Sequence, residues 1–187
     1  MYIALLRGIN VNGQRMIRMA DLRSLASGLG FEDVETYIQT GNVLLRSDGT
    51  EETVRSALEE ALRGWFGEEV PVAVRTPEQL RDVAATCPFA PQRDTVVYVG
   101  FFVRQPDPSR TAELAHRLPR TGDEMQLGER HVYIHYRQGV HRSPLSNAFF
   151  ERALGVDITS RNLRTVQALA APAGRLPQAA DPDGGRL

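Results

Sequence analysis

The chain has no lysine in its 187 residues and only one cysteine and one tryptophan. A lone Cys87 excludes an internal disulfide and argues against a thiolate metal site. No apolar run is long enough to cross a bilayer, so a membrane partner is not expected. Tyr2 to Leu6 reads as a strand with no basic segment before it and no cleavage pattern after it, so cytoplasm is the expected compartment. Strong net charge is also missing: 22 basic side chains, all arginine, face 23 acids for a net −1. That excludes binding to nucleic acid through overall charge. No Ser/His/Asp or Cys/His arrangement stands out, and no pair of carboxylates presents itself as acid and base. His131, His135 and His141 lie close together without a fourth ligand, which makes a poor zinc site, and no metal is expected. The loop from Gly8 to Gly13 follows a strand but matches neither the dinucleotide fingerprint nor the phosphate loop.

The charge that is present is unevenly placed. Arg7 to Arg23 holds four arginines and one acid, and Arg137 to Arg164 holds five arginines and two acids. Between Asp48 and Glu69 there are seven acids and two arginines. The two basic stretches coincide with two polar motif groups. The first is Arg7-Gly8-Ile9-Asn10-Val11-Asn12-Gly13 together with Gln39-Thr40-Gly41-Asn42. The second is Ser146-Asn147 together with Thr159-Ser160-Arg161-Asn162. Such residues position ligands, and arginine suits carboxylate or phosphate.

Periodicity organises the chain as α+β. Residues 2–7 read as a strand, 19–29 as a helix stopped by Gly30, and 34–39 with 42–46 as a hairpin. Thr50 to Phe66 reads as an amphipathic helix with Val54, Leu58, Leu62 and Trp65 on its buried face. Val70, Val72 and Val74 alternate as a strand. The order βαββαβ is the split βαβ pattern of a ferredoxin-like subdomain over residues 2–75. Thr76-Pro77-Glu78-Gln79 then opens a helix with a capping box. Residues 76–171 read as a related αβαββαα subdomain. In it Ser143-Pro144 caps one helix, Ser160 caps the last, and no final strand is evident. No sequence repeat links the two halves. Residues 172–187, rich in Pro, Gly and Ala, read as a disordered tail.

In a βαββαβ unit the end of strand one and the first hairpin share one end of the sheet. Arg7, Asn10 and Asn12 are therefore expected near Gln39 and Asn42. The connection from Gly8 to about Arg18 exceeds the usual ~2–6 residues of a βα loop, as binding loops do. Arg15, Arg18, Arg142 and Arg161 each fall beside a predicted helix start, where a cation is unfavourable unless an anion balances it. A ligand's phosphate or carboxylate could do so. So could Asp21, Glu151 or Asp157, leaving Asn and Ser as turns and caps.

These residues also carry a family resemblance. Ala4 to Val11, Met19 to Leu22, Tyr37 to Val43, Leu145 to Glu151 and Thr159 to Asn162 resemble the bacterial family called Domain of Unknown Function 1697. The resemblance implies two α+β subdomains, the first ferredoxin-like, and no established activity. Leu163 and Arg164 stand where Trp and Asn are usual in that family, and Asn12 where a second Gly is common.

The sequence thus points to a phosphate-bearing or carboxylate ligand, such as a nucleotide or nucleic-acid end, held between subdomains. Its expected contacts are Arg7, Asn10, Asn12, Gln39, Asn42, Asn147, Arg161 and Asn162. The rival readings are a hydrolase or transferase at the same cleft, and a protein-interaction module whose polar motifs are structural.

Overall fold

The computed structural model describes residues 1–11, 13–90, 95–114 and 122–171. Asn12 and the tail expected at 172–187 lie outside the described residues. The first sheet contains β1 (Tyr2–Leu6), β2 (Glu32–Tyr37), β3 (Asn42–Arg46) and β4 (Val72–Arg75) in the order β2-β3-β1-β4, antiparallel throughout. Helices α1 (Met19–Gly28) and α2 (Glu51–Phe66) connect these strands. The α2 helix starts where the Thr50 side chain accepts the Thr53 N–H, and it stops at Gly67, whose φ of 73° ends the right-handed turn.

The second sheet contains β5 (Val96–Phe102), β6 (Glu124–Leu127), β7 (His131–Tyr136) and β8 (Ile158–Asn162) in the order β6-β7-β5-β8. Helices α4 (Pro108–Leu114) and α5 (Asn147–Leu154) connect them. Both sheets therefore have the strand order of a split βαβ unit. Each unit is followed by one more helix, α3 (Pro77–Ala85) or α6 (Leu163–Leu169). The capping box expected for α3 is present between Thr76 and Gln79.

Alternation along the strands sorts side chains onto two faces. In the first sheet, Ala4, Leu6, Val43, Leu45, Val72 and Val74 pack with Leu22, Ala26, Val54, Leu58 and Leu62 of α1 and α2. The opposite face gives Ile3, Leu5, Leu44 and Ala73 to a central core, where Val97, Val99 and Phe101 of the second sheet meet α3 and α6. The outer face of the second sheet, with Phe102, Val132, Ile134 and Ile158, is covered by Leu114, Phe150 and Leu154. The two sheets thus face each other, with helices α3 and α6 at the central core and the other helices outside.

Three expectations are corrected. The second half has a final strand, β8, so its order is αβαββαβα; Ser160 lies in that strand and Asn162 caps α6. The α5 cap is Ser146, whose side chain accepts the Phe149 N–H, and not Ser143-Pro144. Trp65 is 50% exposed, because Phe66, and not Trp65, is the last-turn residue of α2 that packs against the core holding Leu58 and Leu62.

The missing sequence repeat conceals a repeat in backbone geometry. Leu6 pairs with Val72 as Phe102 pairs with Ile158. The Leu6 N–H donates to Gly41 O as the Phe102 N–H donates to Arg130 O. The Arg7 N–H donates to Pro71 O as the Val103 N–H donates to Asp157 O. Position by position, Arg75 then corresponds to Arg161, Asn42 to His131, and Arg7 to Val103.

Candidate functional site

Arg7, Asn42 and Arg161 make bonds across the seam between halves, whereas the bonds of Asn10, Gln39, Asn147 and Asn162 stay within their own halves. Arg161 is 7% exposed. Its Nε donates to Asn42 Oδ1 at 2.6 Å, and Nη2 donates to the carbonyls of Leu6, Thr40 and Gly41 at 2.8, 3.1 and 3.2 Å. Its Nη1 donates to Thr159 Oγ1 and to its neighbour's carbonyl, Ser160 O. A guanidinium has five N–H donors, so none remains for a ligand. Every acceptor is neutral, and burial pushes the Arg161 pKa down to about 10. The group remains a cation at neutral pH, held by oriented carbonyl dipoles.

Arg75 makes the reciprocal clamp. Its Nη2 donates to Phe102 O and Arg130 O, both at 2.8 Å, the counterparts of Leu6 O and Gly41 O. Nη1 donates to Val74 O, and the guanidinium carbon lies 5.7 Å from the Phe101 ring centre. Burial pushes its pKa down to about 9, with a smaller contribution from Arg130. Each half thus sends one arginine from its last strand to bind the carbonyl at the end of the other half's first strand. The turn that receives Arg161 is tight. Gly41 has φ +74°, and a Cβ there would lie 3.0 Å from Ile9 and Leu6 side-chain atoms, so glycine is required.

The remaining motif residues divide similarly. Arg7 Nη2 donates to Glu151 Oε2 at 2.8 Å, and Glu151 Oε1 accepts the Ile158 N–H at 3.2 Å. Asn10, in the left-handed region at φ 55°, accepts the Ile17 N–H and donates to the carbonyls of Ile17 and Gln39. It fastens the long loop to the hairpin. Asn42 is fully buried; besides holding Arg161 it donates to Tyr37 O and Thr40 Oγ1. Asn147 Oδ1 accepts from Ser160 Oγ at 2.5 Å, and Asn162 Oδ1 accepts the Arg164 N–H. Gln39 is exposed, and its carbonyl is the part in use. Two of the helix-start arginines find protein carboxylates: Arg18 pairs with Asp21 and Arg15 with Glu68. Those hydrogen bonds hold both carboxyls below the usual range.

What the motifs leave open lies a few residues away. A groove of ≈ 520 Å³ runs between α2, the Glu69–Pro71 segment, the end of β5 and the Gly155–Asp157 segment. Glu59, Glu60, Arg63, Glu69, Arg104 and Asp157 supply its charges. Glu59 Oε1 accepts the Val72 N–H at 3.0 Å, the counterpart of the bond from Ile158 to Glu151. Burial pushes the Glu59 carboxyl up, against smaller opposing effects of that hydrogen bond and of Arg55 and Arg104. The side chains of Glu60, Arg63, Glu69, Arg104 and Asp157 have no hydrogen bond or ion pair among the described residues. No motif announces this groove, because Glu59 and Glu60 fall among the many acids between Asp48 and Glu69, away from the motif residues.

The fold and seam define a class: an α+β protein of two topologically equivalent halves clamped by reciprocal buried arginines. The chain belongs to the family described as "Protein of unknown function (DUF1697)", whose model matches residues 1–133. That match ends before the Leu145–Glu151 and Thr159–Asn162 motifs. The fold is similar to that of the "conserved bacterial protein SP0830 from Streptococcus pneumoniae", with a TM-score of 0.72 and 22% identity over 90% of this chain and 95% of that one. No curated protein matches the chain. Among the described residues, no helix is long and apolar enough to cross a membrane.

Proposed function

We propose that the protein binds a small ligand bearing an anionic group in the groove between its halves, with Arg63 and Arg104 facing that group. One observation carries this reading: Arg63 and Arg104 line the groove with no side-chain hydrogen bond or ion pair among the described residues, whereas Arg7 and Arg161, the arginines singled out by sequence, are engaged in the fold. A concave site of this size suits a metabolite-sized ligand. The four carboxylates on the lining, set against two arginines, disfavour a multiply charged nucleotide or nucleic-acid end more than a singly charged carboxylate placed at the arginines.

The enzyme reading would draw on Glu59, whose raised pKa in a groove is the mark of a proton-transfer group. Glu151 performs the same capping of a strand N–H away from the groove, so a structural role accounts for Glu59 without chemistry. A thermal-shift screen of carboxylates, sugar phosphates, amino acids and nucleotides tests the proposal. A ligand at about 100 times its dissociation constant adds roughly 2.7 kcal/mol. The expected hit is a carboxylate whose stabilisation disappears in both Arg63→Ala and Arg104→Ala. Hits that survive both substitutions would place the site elsewhere.

A further inference from the structure

The second half contains a filled version of the position that the groove leaves open in the first. Glu59 and Glu151 come from different turns of their helices, yet each caps the first N–H of the last strand of its half, Val72 at 3.0 Å and Ile158 at 3.2 Å. The other oxygen of Glu151 is taken by the Arg7 guanidinium at 2.8 Å. At the position equivalent to Arg7 the first half has Val103, which supplies no cation. Arg55 forms an ion pair with Glu59 but does not complete the hydrogen-bonded pair. Its Nε stays 4.0 Å from Glu59 Oε2, beyond hydrogen-bond reach, while its Nη atoms bond Glu52 and Val103 O. Arg55 Nε itself is buried without a hydrogen bond. Glu59 is therefore a half-buried carboxylate lining a cavity with one oxygen free of hydrogen bonds, at a place where the fold's other copy seats a guanidinium.

We propose that the groove binds a guanidinium group against Glu59, in the manner that Arg7 binds Glu151, with the ligand's carboxylate facing Arg63 and Arg104. The ligand class is a guanidino carboxylate, of which free arginine is the simplest member. This inference rests on the groove reading above and adds the cationic end of the ligand. As in the Arg7–Glu151 pair, a guanidinium would give one N–H to the open oxygen, Oε2, while Oε1 keeps the Val72 N–H; being more weakly hydrated than a primary ammonium, it suits a half-buried seat better. Glu60, Glu69 and Asp157 make the groove more favourable for a cation, whereas Arg55 and Arg104 oppose one.

The test is calorimetric titration of the full chain with L-arginine, citrulline and succinate. Citrulline has the shape of arginine but a neutral ureido group. Arginine should bind about tenfold or more tightly than citrulline, about 1.4 kcal/mol, as one charge-assisted pair would give. Glu59→Gln keeps an oxygen to accept the Val72 N–H and should bring that ratio to about one, with the melting temperature of the unliganded protein little changed. Arg104→Ala should weaken arginine and citrulline together and leave their ratio intact. Equal binding of arginine and citrulline would overturn the guanidinium inference while preserving the groove reading. Binding of none of the three would overturn this inference, and the broader screen would then decide the groove reading alone. A ratio unchanged by Glu59→Gln would overturn the role of Glu59.

Discussion

The two halves share a topology and a clamp, and they differ in what surrounds each clamp. Arg161 enters a seat with a side-chain acceptor, Asn42 Oδ1, and carbonyls from a tight glycine turn. Arg75 enters the equivalent seat and finds His131 where Asn42 would be; its hydrogen bonds all go to backbone carbonyls. The second difference concerns the strand-capping glutamates. Glu151 is neutralised by Arg7, and Glu59 opens onto a groove. Duplicated architecture makes both differences legible. Where the copies agree, the residues hold the fold together; where they diverge, one copy is free for another purpose.

The largest effects should follow from removing a clamp. Arg161→Met strands buried acceptors in both halves and should cost about 3–5 kcal/mol in a urea melt. Arg161→Lys should recover little, since one ammonium cannot reach acceptors spread around a planar fork. Arg75→Met should cost less, about 2–4 kcal/mol, because no side-chain acceptor is stranded. Equal losses would remove the asymmetry between the seats.

A pH dependence should distinguish the seats next. Burial, with a smaller contribution from nearby Arg75, pushes the His131 pKa down to about 4. A histidine held neutral in the fold but protonated when unfolded gives its full stabilisation above about pH 6.5 and loses it as pH falls towards about 4. The loss should be about 1–3 kcal/mol across that window, allowing for the part of the ring in contact with solvent. His131→Asn, which copies the residue of the other seat, should flatten that part of the profile. A profile unchanged by the substitution would assign the acid sensitivity to other groups.

Smaller effects are expected away from the seats. Arg7→Met breaks a partly exposed pair with Glu151 and should cost about 1 kcal/mol. Trp65→Ala should cost less than about 1 kcal/mol in the same melts, since half of that residue faces solvent. A loss of 3 kcal/mol or more would return Trp65 to the core and count against the packing of α2.

Much of the fold was legible because its signals are local. The spacing of Val54, Leu58 and Leu62, the Thr76-Gln79 box and the alternation of Val72 and Val74 each depend on neighbours within one element. Trp65 was misplaced because two neighbouring aromatics end α2, and helical spacing from Leu62 admits Trp65 at i+3 or Phe66 at i+4; the core takes Phe66. Strand β8 was missed because only Ile158 among its five residues is apolar. Thr159 and Arg161 are buried through hydrogen bonds to the other half, which no pattern within the strand announces. Part of the expected grouping is seen: Asn10 meets Gln39, and Arg161 meets Asn42, whereas Asn147 and Asn162 bond only within the second half; Arg7 meets Glu151. Their partners decide their role, and those partners lie more than 100 residues away in sequence.

The direct measurement of the account is a double-mutant cycle joining the halves through Arg161→Met and Asn42→Ala, read by urea unfolding. Residues in one hydrogen-bond network couple by about 0.5–3 kcal/mol, and the 2.6 Å bond buried at the seam belongs in the upper part of that range, near 2 kcal/mol. Additive losses, with coupling within about 0.3 kcal/mol of zero, would mean that Arg161 and Asn42 do not act together and would contradict the clamp.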